Sequence, residues 1–255
     1  MMHNINKIFM SNTKNVEAFE KLTGICAGYG SKYNPAQRKL LIENMSALLG
    51  SARSVLKETG AAKTGYENAT NAREVAYTDL DKLGMRILSE PKSGEALDQT
   101  IADANSMVRK LRGTRTTDRS QVTAGSTGSG ANDTAIKTSR KRAARGLDYG
   151  SIAQHFEKLL QTVFVEPTYQ PNTSELQVEA LNARLQELHS QNTGVVQAHS
   201  LLSEARKKRN ALLYSGSQSL YATAHAVKQQ VKAAFGHTSE AYKEVSRISF
   251  TKPAK

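Results

Sequence analysis

Eleven positions between Val178 and Leu213 step along the chain by alternating threes and fours: Val178, Leu181, Leu185, Leu188, Asn192, Val195, His199, Leu202, Arg206, Arg209 and Leu213. A stripe with this spacing runs down one side of a helix and needs another helix to cover it. It rules out a half-buried strand, which would alternate every second residue. Subtracting 133 gives a second stripe: Met45, Leu48, Ala52, Val55, Thr59, Ala62, Tyr66, Ala69, Arg73, Ala76 and Leu80. Most of these are also apolar or small. Each stripe has a polar step near its middle, Thr59 and Asn192, and each contains an Ala-Arg pair, Ala72-Arg73 and Ala205-Arg206.

The doubling extends beyond the stripes. Phe-Glu-Lys-Leu is written at Phe19–Leu22 and again at Phe156–Leu159, and a Tyr-x-Pro follows each copy, at Tyr33–Pro35 and Tyr169–Pro171. Both halves therefore follow one plan. A short amphipathic helix comes first, near Asn15–Tyr29 and Leu147–Phe164. The Tyr-x-Pro turn follows, with Pro35 and Pro171 expected to open the next helix. Asn34 is the natural cap in the first half, and Thr173 or Ser174 in the second. The long helix comes next. Thr59-Gly60 and Thr193-Gly194 interrupt the composition but not the three-four phase, so one long helix of about 45 residues is favoured over a hairpin. It is expected to end near Ser89–Pro91 in the first half and Tyr214–Ser217 in the second. Shorter helices then fold back: residues 93–113 in the first half, and residues 219–236 in the second, with Gly236 as the stop and a last turn or two at 238–250. Glu-Ala-Leu at 95–97 and Glu-Ala-Tyr at 240–242 read as matching phrases.

No strand of any length is legible. The expected fold class is all-α: two homologous helical units, each a long helix with shorter helices packed on it, forming a pseudo-two-fold elongated bundle. The expected organisation is a flexible N-terminus at 1–14, a first repeat at 15–112, a linker at 113–146, a second repeat at 147–250 and a tail at 251–255. A hydrophobic content of 38% with no Trp suits stripe-packed helices better than a thick core.

Of the net charge of +12, residues 1–112 carry +4, residues 113–146 carry +5 and residues 147–255 carry +3. The excess is thus concentrated in the Gly/Ser/Thr-rich middle segment, whose composition cannot bury enough apolar surface to offset its ordering entropy. An acidic partner is to be sought there first. The candidate anion contacts are Arg140, Lys141, Arg142 and Arg145 at the end of the linker, and Arg206, Lys207, Lys208 and Arg209 on the long helix. Such groups bind phosphate backbones by counterion release, without reading sequence.

Reactive constellations are not apparent. None of the six histidines, His3, His155, His189, His199, His225 and His237, has a Glu three residues before it, as a di-iron bundle would want. Gly24–Lys32 and Gly60–Gly65 lack phosphate-loop spacing, and the Gly/Ser run at 125–130 lacks a nucleophile elbow. Cys26 reads as a small core residue. Asp79, Asp81, Asp98 and Asp103 read as a solvated face. The chain is expected to be non-enzymatic, with no catalytic, cofactor or metal residues. One cysteine and no long apolar run suggest a reducing, cytoplasmic setting without a membrane span.

Tyr-x-Pro before a long helix, Ala-Arg-x3-Asn before Leu-Leu-Tyr (Ala205 to Tyr214), and the close at residues 238–253 resemble a group of all-helical bacterial proteins of unassigned function, common in Bacteroidota. The resemblance is strongest over 165–253 and weaker over 15–112. His199 and Lys207-Lys208 depart from it, standing where small apolar residues are usual. It implies a bacterial helical protein whose halves are joined by a variable polar linker, and no activity. Function is expected to lie in protein interaction or self-association, with an unidentified partner. The alternative is non-specific binding of nucleic acid or another anionic surface through the basic linker and basic helix patch.

Overall fold

The computed structural model describes residues 2–94, 96–112 and 148–252, and these contain eight α-helices, three short 3-10 turns and no strand. In chain order the helices are α1 (Met2–Gly28), α2 (Ile42–Tyr77), α3 (Leu80–Ser93), α4 (Asp98–Leu111), α5 (Tyr149–Phe164), α6 (Val178–Tyr214), α7 (Leu220–Phe235) and α8 (Glu240–Ser246). The all-α expectation holds. The linker at 113–146 lies outside the described residues. Helix α1 starts at Met2, well before the start expected at Asn15, so residues 12–14 are helical rather than a loose end.

Both long helices pass through their Thr-Gly steps unbroken, α2 with 36 residues and α6 with 37. Glycine costs about 1 kcal/mol in a helix interior, which the packed stripe on either side outweighs. The first long helix does not reach Ser89–Pro91, however. It ends at Tyr77, and Thr78 and Asp79 separate it from α3. The three-four phase continues across this break, which is why the stripe alone reads as one helix.

Neither Pro35 nor Pro171 opens a helix. Each leads into a 3-10 turn, Arg38–Leu40 or Ser174–Leu176, that buries its last leucine before α2 or α6 begins. A tyrosine holds each turn in place. The Tyr33 hydroxyl donates to the Leu40 carbonyl at 3.0 Å, and the Tyr169 hydroxyl to the Leu176 carbonyl at 2.7 Å. Thr173 precedes the second turn without a side-chain capping bond. Side-chain caps are instead found at Asp148, Ser219 and Ser239, each of which accepts a backbone N–H from three residues on.

The chain divides into two compact units, Met1–Asn68 with Val196–Lys255, and Ala69–Val195. In the first unit, Val16, Phe19, Leu22 and Cys26 of α1 and Met45 and Ala52 of α2 share one core with Leu213, Leu220, Val227, Val231 and Val245. In the second unit, Tyr77, Leu80, Ile87, Val108 and Leu111 share a core with Phe156, Leu159, Val163, Leu181 and Leu188. Each core therefore takes residues from both sides of the linker, and the Phe and Leu of each Phe-Glu-Lys-Leu phrase are buried in a core shared with helices of the other half.

The two stripes share a burial pattern at a spacing of 136 rather than 133. At an offset of 133, buried Met45 would match Val178, which is 44% exposed. At 136 it matches Leu181, and Ala52 matches Leu188, all four fully buried. The burial pattern of α7 is like that of α3 rather than α4: Leu80, Gly84, Ile87 and Pro91 are buried, as Leu220, Ala224, Val227 and Val231 are. Of the two Glu-Ala phrases, Leu97 precedes α4 and Glu240–Tyr242 lies inside α8; Glu95 lies outside the described residues.

Gly84 is needed where it stands. A Cβ there would come within 3.1 Å of Leu111 Cδ1 and 3.7 Å of both Leu159 and Val108. Gly84→Val is expected to destabilise the fold by about 1–3 kcal/mol through overpacking, measurable as a lower urea midpoint.

Candidate interaction surface

A helix turns by about 100° per residue, so four consecutive basic residues cannot share one face. On α6, Lys207 and Lys208 are exposed, Arg206 is half-buried, and Arg209 is buried at 7% exposure. The Arg209 Nε and Nη2 donate to Asn210 Oδ1 at 3.1 and 2.9 Å. Burial lowers the Arg209 pKa, nearby Arg206 lowers it further, and Tyr214 works in the opposite direction. Arg209 is thus part of the fold, and the exposed pair in this cluster is Lys207 and Lys208. Arg140, Lys141, Arg142 and Arg145 lie outside the described residues. Arg209→Ala is expected to cost roughly 1–3 kcal/mol, whereas Lys207→Gln with Lys208→Gln should stay within about 0.5 kcal/mol of wild type. Chemical denaturation separates the two.

The other residues picked out by sequence have structural partners. The Arg73 guanidinium lies 4.0 Å from the centroid of the Tyr149 ring. Asn192 Nδ2 donates at 2.7 Å to the Tyr77 hydroxyl, which in turn donates to the Tyr149 carbonyl at 3.1 Å. In the first unit the Tyr214 hydroxyl donates to Asn12 Oδ1 at 2.6 Å and accepts from Asn15 Nδ2 at 3.0 Å. Burial raises the pKa of both tyrosines, against the lowering influence of Asn192 and Arg73 at Tyr77, and of Asn15 and Arg209 at Tyr214. The Thr59 hydroxyl lies 2.7 Å from the Val55 carbonyl and 3.3 Å from that of Ala205. His199 is exposed, with its ring edge-on to Tyr66 at 5.6 Å.

A cleft of about 640 Å³ in the second unit is lined by Asp79, Lys82, Leu83, Arg86, Glu175, Leu181 and Arg184. Its charges are largely engaged with one another or with backbone. Arg86 pairs with Glu175 at 2.6 Å and Lys82 with Asp79 at 3.3 Å, while Arg184 Nη2 donates to the Ala76 carbonyl at 2.5 Å. This arrangement ties helices together more than it waits for a ligand. Among the described residues, no group of three metal-ligating side chains converges, and no helix is long and apolar enough to cross a membrane. Burial pushes the Cys26 thiol up to about 12, so little thiolate forms near neutral pH. A thiol reagent is expected to label Cys26 only as fast as the first unit opens, and labelling should become immediate in denaturant.

Among the described residues the most exposed large apolar side chain is Val165, at 83%, just past the end of α5; Val75 of α2 and Leu97, just before α4, follow at 74% and 70%. Leu97 and Val165 belong to neighbouring turns, because a Cβ on Gly94 would meet Thr168 at 3.7 Å. One end of the second unit thus presents two uncovered aliphatic residues. Neither reads as exposed from sequence: both fall outside the helical stripes, and Leu97 stands out only as the end of the Glu-Ala-Leu phrase.

Comparison with known proteins gives no match. No protein family, curated protein or solved structure is found to resemble the chain. Any functional reading therefore rests on the molecule's own surface.

Proposed function

We propose that this protein is a non-enzymatic helical scaffold that works through protein contacts, a second copy of itself being the first partner to test. The observation that carries this reading is the pair Leu97 and Val165, uncovered at one end of the second unit. Uncovered aliphatic side chains at element ends are candidate points of association. Light scattering at high micromolar concentration is expected to give at least a dimer, and Leu97→Asp with Val165→Asp should return the chain to a monomer. A monomeric wild type would remove self-association.

Internal duplication is part of the same reading. Its support is the paired burial of Phe19 and Phe156, of Met45 and Leu181, and of Leu80 and Leu220, together with the matching tyrosine-held turns. The resemblance to helical Bacteroidota proteins belongs here as well, and adds a bacterial setting without chemistry.

Non-specific nucleic-acid binding keeps one favourable observation, the exposure of Lys207 and Lys208 on a chain whose charge excess lies at 113–146. If that reading holds, affinity in a filter-binding titration falls steeply with salt and is lost on deleting 113–146.

A further inference from the structure

In the first unit, α7 packs on the 3-10 turn Arg38–Leu40. A cleft of about 360 Å³ lies there, lined by Arg38, Lys39, Asn44, Leu48, Gln218 and Thr223. Two cations line it and no carboxylate does. Neither Arg38 nor Lys39 makes an ion pair among the described residues, and the sequence carries no Asp or Glu from Ser215 to Ser239. The cleft of the second unit is different, because its Arg86 and Lys82 are paired with Glu175 and Asp79. Hydrogen bonds hold the frame in place. Lys39 Nζ donates to the Ser217 carbonyl at 3.3 Å, and Asn44 Nδ2 to the Arg38 carbonyl at 2.7 Å. Gln218 and Thr223 stand at the start of α7, the partly positive end of a helix.

Charge on a surface is not by itself a site. The second observation is Thr223, which is only 1% exposed and yet lines the cleft. Four other helical threonines, Thr23, Thr59, Thr162 and Thr193, turn their hydroxyls back onto the carbonyl four residues earlier. Thr223 does not. The Ser219 carbonyl takes its N–H at 2.8 Å, and its hydroxyl has no hydrogen-bond partner among the described residues. A hydroxyl this buried needs a partner, and the little surface that Thr223 keeps opens on the cleft.

We propose that this cleft binds a phosphate group, with Arg38 and Lys39 neutralising its charge and the Thr223 hydroxyl donating to one of its oxygens. Two cations match the charge of roughly −1.5 to −2 that a phosphate monoester carries at neutral pH. Hydrogen bonds to such charged oxygens are about twice as strong as those between neutral groups. The volume is at the small end for ligand sites, about 300–1,000 Å³, and Leu48 gives it one apolar wall. The ligand is therefore a phosphate carrying a small organic part, or the phosphate headgroup of a lipid. This site is independent of the scaffold reading, which concerns Leu97 and Val165 in the other unit.

Calorimetric titration of the full chain with inorganic phosphate at low salt tests it. Wild type is expected to bind with a Kd of roughly 0.1–1 mM. Thr223→Val keeps the branched shape and removes the hydroxyl. It should weaken binding at least about ten-fold and leave the urea midpoint unchanged or higher, since the free protein has no bond there to lose. Arg38→Gln should weaken binding by a similar factor, whereas Lys207→Gln with Lys208→Gln on α6 should bind as wild type does. No binding to wild type overturns the proposal. Equal affinity in Thr223→Val, or an equal loss in the Lys207 and Lys208 variant, means an adventitious ion only and also overturns it. A clearly lower urea midpoint for Thr223→Val would show that the hydroxyl serves the fold, with the same consequence. Sedimentation with phosphatidylcholine vesicles, with and without phosphatidic acid, assigns the source. Thr223-dependent capture by the acidic vesicles supports a lipid headgroup, and phosphate binding without capture supports a soluble phosphate compound.

Discussion

Phe156→Ala is expected to destabilise the protein by about 3–5 kcal/mol. The ring is fully buried in the second unit, in one core with Ile87, Val108, Leu159 and Leu188. Removing it deletes the apolar transfer term and leaves a cavity that helices on every side cannot close. Phe19→Ala should cost a similar amount, since Phe19 is also fully buried and opens the same four-residue phrase in the other core. Total stabilities for domains of this kind are about 5–15 kcal/mol, so either variant uses up much of the margin. Urea unfolding followed by circular dichroism measures both. A loss below about 1 kcal/mol for either would mean that its ring is not packed as described.

Raising the pH through the tyrosine range should unfold the protein. Burial, and then the charge of Glu90, pushes the Tyr169 hydroxyl up to about 12. Burial, then Cys26, pushes Tyr33 higher still. A raised acid pKa means that the folded state keeps a proton which the unfolded chain releases. The associated stability is therefore complete below the unfolded tyrosine value of about 10 and is lost as pH rises toward about 12. Tyr169 alone accounts for roughly 2–3 kcal/mol of that loss, and Tyr33 adds to it in the same direction. Lys228 opposes the trend, because burial lowers its pKa and its neutral form suits the folded state better. Unfolding free energies at stepped alkaline pH should fall steeply, and Tyr169→Phe should flatten the fall. A stability independent of pH across this window would show that the two hydroxyls are not sequestered.

The elements that could be read from sequence were those whose burial follows a period. Leu181, Leu188, Met45 and Ala52 face cores as their spacing demands, and α2 and α6 continue through Gly60 and Gly194. A three-four stripe looks much the same when shifted by three residues, so spacing alone could not align the two stripes; burial pairs Met45 with Leu181, not with exposed Val178. The break at Thr78–Asp79 was hidden by the same regularity. Arg209 was read as a surface cation because its neighbours are basic, although its position on the stripe pointed inward. The tyrosine-held turns carry no periodic signal, since each is fixed by a single hydroxyl reaching a nearby backbone carbonyl, Leu40 from Tyr33 and Leu176 from Tyr169. A stripe shows which residues are covered, but not by what, so the mixing of the two halves within each core could not be foreseen.

That mixing governs how the chain can be made. The Tyr214 hydroxyl reaches Asn12, 202 residues back, and the core that buries α1 is completed by Leu213, Leu220, Val227 and Val245, written after the linker. On a ribosome, the α1 segment emerges long before its cover is translated. Its greasy side must wait through most of elongation, exposed to aggregation or sheltered by a chaperone. Contacts so remote in sequence also make for slow closure, so refolding from denaturant should lag well behind that of a helical bundle whose neighbours in space are neighbours in the chain.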